Sequence, residues 1–154
     1  QPDEVSEDIE ALVRHYKRTW GKKQVLLVGF SFGACWLPSL VNRLPADLLA
    51  DVSLVVLLGP GKFVNVEVHV MDWMGDEIRP GALEVQPEAI KIDKPLLCVY
   101  GTEEDDSVCP QLKKPNVKVL AMPGNHHYNN NYDPVIEAIF AELAAVQRKK
   151  NVSH

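Results

Sequence analysis

The pentapeptide Gly29-Phe30-Ser31-Phe32-Gly33 constrains this chain more than any other stretch, because it directly follows the apolar run Val25-Leu26-Leu27-Val28 and directly precedes a helix-compatible segment. A buried strand that passes into a helix through G-x-S-x-G is the setting of a nucleophile elbow, the sharp turn on which serine hydrolases carry their reactive hydroxyl. The serine sits in strained backbone geometry, and glycines at both flanks are expected to let strand and helix approach without Cβ clashes. Glycine and serine are common, so roughly one chain in twenty of this length would hold such a pentapeptide by chance. The surrounding sequence has to supply the rest of the argument.

That surrounding sequence alternates. The apolar positions Ile9, Leu12, Val13, Tyr16 and Trp20 follow the spacing of an amphipathic helix over Asp8 to Trp20, ended by Gly21. Gln24 to Val28 reads as a short strand apolar on both faces, as in the middle of a parallel sheet covered by helices. Gly33 to Arg43 fits a second helix stopped before Pro45, and Val52 to Leu58 the next buried strand. Phe63 to Met71 alternates like a strand with one wetter face, followed by a turn at 72–76. Residues 76 to 94, with Pro80, Gly81 and Pro87, read as loop or lid. Pro95 to Tyr100 and Val117 to Met122 are strands. Asp133-Pro134 starts a last helix that is expected to bury Val135, Ile136, Ile139, Phe140 and Leu143.

Strands and helices in alternation, joined by short connections, predict a mostly parallel sheet between helical layers: an α/β three-layer sandwich of the α/β-hydrolase type. The 154 residues, 46% of them hydrophobic, suit one domain over residues 1–154 with one sizeable core. Only one helix precedes the elbow, whereas an α/β hydrolase normally has several strands before it. The expectation is therefore the C-terminal portion of a longer domain, lacking its N-terminal strands. The strand at 24–28 would then present an unpaired apolar edge. Either it pairs with a second copy, giving a homodimer, or the chain by itself is poorly active.

A serine hydroxyl needs a general base within hydrogen-bond reach and a carboxylate to orient that base. In the α/β-hydrolase arrangement the order is Ser, then Asp or Glu, then His. After the strand at 95–100 comes Gly101-Thr102-Glu103-Glu104-Asp105-Asp106, and after the strand at 117–122 comes Pro123-Gly124-Asn125-His126-His127-Tyr128. Acid and base thus lie past the C-terminal ends of two successive strands, on the same edge as Ser31. Asp106 is the first choice of acid because it begins an Asp-x-x-x-Pro turn, and Asp105 is the second. His126, in a Gly-x-His-x-aromatic pattern, is the base, with His127 a neighbour or substrate contact. The Phe32 N–H should supply one oxyanion donor, and a loop after an earlier strand the other. No metal site or cofactor is called for.

The net charge of -5 and the dispersed acids disfavour nucleic acid. Three cysteines, Cys35, Cys98 and Cys109, show no zinc spacing. Two readings stay open: a Cys98–Cys109 bridge closing a short loop, or three buried thiols in a reducing compartment.

Several segments together resemble the bacterial virulence protein family VirJ/AcvB. They are Tyr16 to Trp20; Gly29 to Ala34 with Leu37-Pro38 and Asn42-Arg43-Leu44-Pro45; Trp73; Leu97 to Gly101 leading to Asp106-Ser107 and Cys109-Pro110; and Pro123 to Tyr128. Cys35 stands where that family leads one to expect an acidic residue, and its glycine-rich N-terminal segment is absent. The resemblance implies a periplasmic serine hydrolase that removes the aminoacyl group, typically lysyl, from aminoacylated phosphatidylglycerol, working peripherally at a membrane surface. A periplasmic location would favour the disulfide reading. The alternatives are a noncatalytic hydrolase-fold binding module of a secretion or export assembly, or a generic esterase or thioesterase acting on another ester.

Overall fold

Among the described residues, four strands form a parallel sheet in the order β1-β2-β5-β6: β1 Val25–Phe30, β2 Val52–Leu58, β5 Leu96–Gly101 and β6 Val117–Met122. The computed structural model describes residues 2–65 and 81–152. Two short strands, β3 Phe63–Val64 and β4 Leu83–Glu84, pair antiparallel beside the main sheet. The helices are α1 Pro2–Trp20, α2 Phe32–Val41, α3 Ala46–Asp51, α4 Val85–Lys91 and α5 Asp133–Val152.

Strand alternation divides the interior into two cores. Val55 and Leu57 of β2, with Leu96 and Cys98 of β5, pack against Ala34, Leu37 and Val41 of α2 and Val85 and Ala89 of α4. Leu54, Val56, Leu97 and Val99, their immediate neighbours in sequence, face the other way onto Val135 and Ile139 of α5. The two central strands are buried on both faces, which is why they read as near-continuous apolar runs, with Ser53 the one polar residue in β2 and itself buried. The result is an α/β three-layer sandwich.

The outer elements depart from the sequence expectations in instructive ways. Residues 85–91 form a helix, not a loop, because Pro87 is its third residue, where a missing N–H breaks no intrahelical bond. In α5, Val135 and Ile139 are buried, whereas Ile136 and Phe140, one turn apart, are 48% and 63% exposed and do not join the core. On α1 only Ile9 packs against the main core; Leu12, Tyr16 and Trp20 face solvent. Ion pairs attach this helix instead: Arg14 to Asp47 at 2.7 Å, Lys17 to Asp51, and Arg43 to Asp3 at 2.9 Å. The expected strand over 63–71 is seen at Phe63–Val64; its remainder, the turn at 72–76 and Trp73 lie outside the described residues.

Among the described residues β1 has a strand neighbour on one side only, so it is an edge of the sheet, with Val28 and Phe30 exposed. No described helix is long and apolar enough to cross a membrane.

Cys98 in β5 and Cys109 are joined by a disulfide, both fully buried, while Cys35 is a buried free thiol. The bridge closes the loop that leaves β5 and contains all four consecutive acids. Replacing both cysteines by alanine should lower the unfolding free energy by about 3 kcal/mol, the loop-closure value for a ring of this size. Urea titration of the oxidised protein and the double variant checks this; coincident midpoints would mean that the bridge adds nothing to stability.

Candidate functional site

The elbow forms as its sequence requires. Ser31 has φ 55° and ψ -121°, a backbone region that costs a non-glycine residue on the order of 1–3 kcal/mol. Its N–H donates to the Leu58 carbonyl at 2.8 Å, tying the turn to the end of β2, and α2 starts at the next residue. Gly29 is sterically obligatory: a Cβ there would lie 2.6 Å from the Gly33 carbonyl oxygen. Gly33 is not, since a Cβ there would meet nothing within 4 Å, which corrects the expectation that both flanks exclude a side chain. The turn crowds only where the strand passes under the first turn of the helix. The Phe32 N–H is the first of α2 and has no intrahelical acceptor, so it is free to serve an anion forming at Ser31.

Ser31 and His126, 95 residues apart, meet at 2.8 Å between Oγ and Nε2. The other imidazole nitrogen, Nδ1, lies 2.5 Å from Oε1 of Glu104. With Nδ1–H donating to the carboxylate, Nε2 is the acceptor that faces the serine hydroxyl. The second Glu104 oxygen accepts the Gly101 N–H at 2.6 Å, and the Glu104 side chain is only 8% exposed. One carboxylate is thereby fixed from both sides.

The acid against His126 is Glu104, not Asp106 or Asp105. Glu104 sits in the turn that begins at Gly101, where its N–H donates to the Gly101 carbonyl, and its side chain folds back over the end of β5. Asp105 and Asp106 come after that turn and are exposed. The Asp105 carbonyl accepts Lys62 Nζ at 3.2 Å, and the Asp106 carboxylate lies toward Gly61 and Cys35. The structure therefore assembles two of the expected residues, Ser31 and His126, around an acid the sequence argument passed over. A signal was present: Glu104 is the fourth residue of a Gly-initiated turn, positioned to cap the turn's own first N–H.

Burial, helped by the Asp106 carboxylate, pushes the Cys35 thiol above its ordinary range, so it stays protonated one helical turn from Ser31. Its sulfur accepts the Gly61 N–H at 3.2 Å. Tyr128 is 2% exposed, donates to the Val99 carbonyl at 3.3 Å, and is pushed well above the normal phenol range by burial and by Glu104. It anchors the histidine loop and does not titrate near neutrality.

Gly59, at the end of β2, lets the imidazole into place. Its φ is +59°, and a Cβ there would come within 2.7 Å of His126 Cε1 and 2.9 Å of Nδ1. Gly59→Ala should therefore displace the ring from Ser31 and Glu104 together. If the site hydrolyses esters, kcat should fall by roughly 10²-fold, as for an ångström-scale misplacement, with the fold retained. Esterase kinetics with circular dichroism on the same sample checks it; wild-type turnover in Gly59→Ala would show that the ring needs no such clearance.

A strained serine at a strand-to-helix turn, a histidine and a carboxylate beyond the C-terminal ends of three parallel strands define the α/β-hydrolase class. Residues 1–147 match the family described as bacterial virulence protein (VirJ), and the chain belongs to that family. A solved structure titled "Structure of a thermophilic esterase" superposes with a TM-score of 0.61 at 16% identity, over 95% of this chain and 74% of that one. At that identity the likeness speaks for the fold. Among curated proteins none matches this chain.

Proposed function

We propose that this protein is a serine hydrolase that cleaves a carboxyl ester through an acyl-enzyme. The observation that carries the proposal is the continuous chain Glu104 Oε1–His126 Nδ1 and His126 Nε2–Ser31 Oγ, at 2.5 and 2.8 Å. Ser31 attacks the ester carbonyl as His126 takes its proton, and the Phe32 N–H receives the developing oxyanion. His126 returns the proton to the departing alcohol, and a water then attacks the acyl-enzyme along the same path in reverse. Glu104 holds the imidazole in the required tautomer and balances its charge while it is protonated.

Membership of the VirJ family favours an aminoacylated phosphatidylglycerol as substrate, handled in the periplasm at a membrane surface. The reaction would release the amino acid and regenerate the lipid alcohol. A fluorophosphonate probe should label wild-type protein at Ser31, and lysyl-phosphatidylglycerol in mixed micelles should release lysine. Labelling without lysine release would keep the esterase and discard the lipid. No labelling of folded protein would favour the noncatalytic binding module.

A further inference from the structure

The segment that carries the base is fixed at both of its ends. Gly124 is buried, and the acid loop holds both of its polar backbone groups: its N–H donates to Thr102 Oγ at 3.3 Å, and its carbonyl accepts the Glu103 N–H at 3.0 Å. Tyr128 is the other end, with its ring buried and its hydroxyl on the Val99 carbonyl. Between these anchors lie Asn125, His126 and His127, with the exposed His127 ring 5.4 Å from that of His126. The position of the base is therefore set by whatever ties this short span together.

Asn125 supplies that tie. Its side-chain oxygen accepts the N–H of His127 at 2.9 Å and of Asn129 at 3.3 Å, while its own carbonyl accepts the Tyr128 N–H at 2.8 Å. An asparagine that takes the N–H two residues on closes an Asx turn, in which a side chain stands in for one arm of a backbone turn. The His127 N–H belongs to the peptide that follows His126, so this bond fixes the backbone on the far side of the base. The bond to Asn129 reaches into a run of three non-glycine residues, Tyr128, Asn129 and Asn130, at φ of 52°, 53° and 60°. L-residues stay in that region only where their surroundings enforce it. The Asn129 side chain in turn lies over Gly124, where a Cβ would come within 2.7 Å of it. The turn is closed on itself, with Asn125 bonded at its centre.

We infer that Asn125 is a positioning residue for the base: its side-chain oxygen holds His126 where Nε2 meets Ser31 and Nδ1 meets Glu104. This rests on the hydrolase reading above. Asn125 is exposed and belongs to neither core, and both anchors are made without its side chain. A change there acts through the turn and leaves the sheet and helices as they are. Water can satisfy the N–H groups of His127 and Asn129 once the oxygen is gone, but it cannot fix the distance between them.

The test sets Asn125→Leu, which keeps the side chain's size and branching but removes the acceptor, against Asn125→Asp, which keeps the acceptor. Asn125→Leu should lower kcat/KM on p-nitrophenyl acetate about tenfold, and the second-order rate of fluorophosphonate labelling at Ser31 by the same factor. Asn125→Asp should recover most of both. The labelling rate reports only on folded molecules, so a variant that had merely lost structure would label to a lower extent at the wild-type rate. That outcome, wild-type rates in Asn125→Leu, or an Asn125→Asp protein as slow as Asn125→Leu would each overturn the inference and leave the hydrolase reading intact. Failure of the wild-type protein to label or to turn over the ester would overturn the hydrolase reading and the inference with it.

Discussion

Ser31→Ala is expected to reduce ester hydrolysis by at least about 10³-fold while the protein stays folded. The mutation deletes one oxygen from a half-exposed position whose only side-chain hydrogen bond among the described residues is to His126. Ser31 belongs to neither core. The elbow is held by its backbone, through the Ser31 N–H to the Leu58 carbonyl and the close pass of Gly29 under Gly33, and these survive the change. Stability and activity should therefore separate cleanly. His126→Ala should be nearly as severe, because a serine without its base is as disabled as a base without its serine. Initial rates on a model ester, with thermal melts of the same preparations, measure both. A folded Ser31→Ala protein that retains most of its turnover would remove the acyl-enzyme mechanism.

How much of this was legible in the sequence depends on how local each cause is. The elbow was, because a strand, a glycine at 29 and a serine at a sharp turn interact within five residues. His126 was, because the end of β6 and the glycine before it place the loop at the right edge of the sheet. The central strands were legible through Val52–Leu58 and Pro95–Tyr100, whose apolar runs, broken only by Ser53 in the first, suit strands covered on both faces.

The misreadings all concern what lies beside an element. Helical periodicity marked an apolar face on α1 and α5 but could not say how far the sheet extends beneath it. Ile136, Phe140, Leu12, Tyr16 and Trp20 are therefore in sequence register with buried residues and yet exposed. Pro87 looked like a breaker because its place within the first turn of a helix depends on where that helix begins. The edge position of β1 was expected from the elements before the elbow, and among the described residues β1 pairs on one side only, with Val28 and Phe30 exposed.

The second large effect concerns the acid, where four consecutive candidates made the register undecidable from residue types alone. Glu104→Gln is expected to lower kcat on the order of 10³ to 10⁴-fold, while Asp106→Asn and Asp105→Asn should stay within a few-fold of wild type. The amide is nearly isosteric, so the loop should keep its shape, and the Gly101 N–H can still be met by the side-chain oxygen. What changes is charge and proton placement. A neutral amide cannot balance the imidazolium that forms when His126 takes the Ser31 proton, and an amide N–H directed at Nδ1 would favour the tautomer with the proton on Nε2, the wrong nitrogen for a base. Glu104→Asp separates reach from charge: it keeps the carboxylate but withdraws it by one methylene from both His126 and Gly101, and should fall between wild type and Glu104→Gln. Asp106 is the informative control, because it carries the same charge in the same loop and differs only in facing Gly61 and Cys35. Steady-state kinetics of the four variants on one ester decides the matter. A severe loss in Asp106→Asn alongside a mild one in Glu104→Gln would return the acid to the position its Asp-x-x-x-Pro turn first suggested, and would mean that the loop after β5 turns by a different register when substrate is bound.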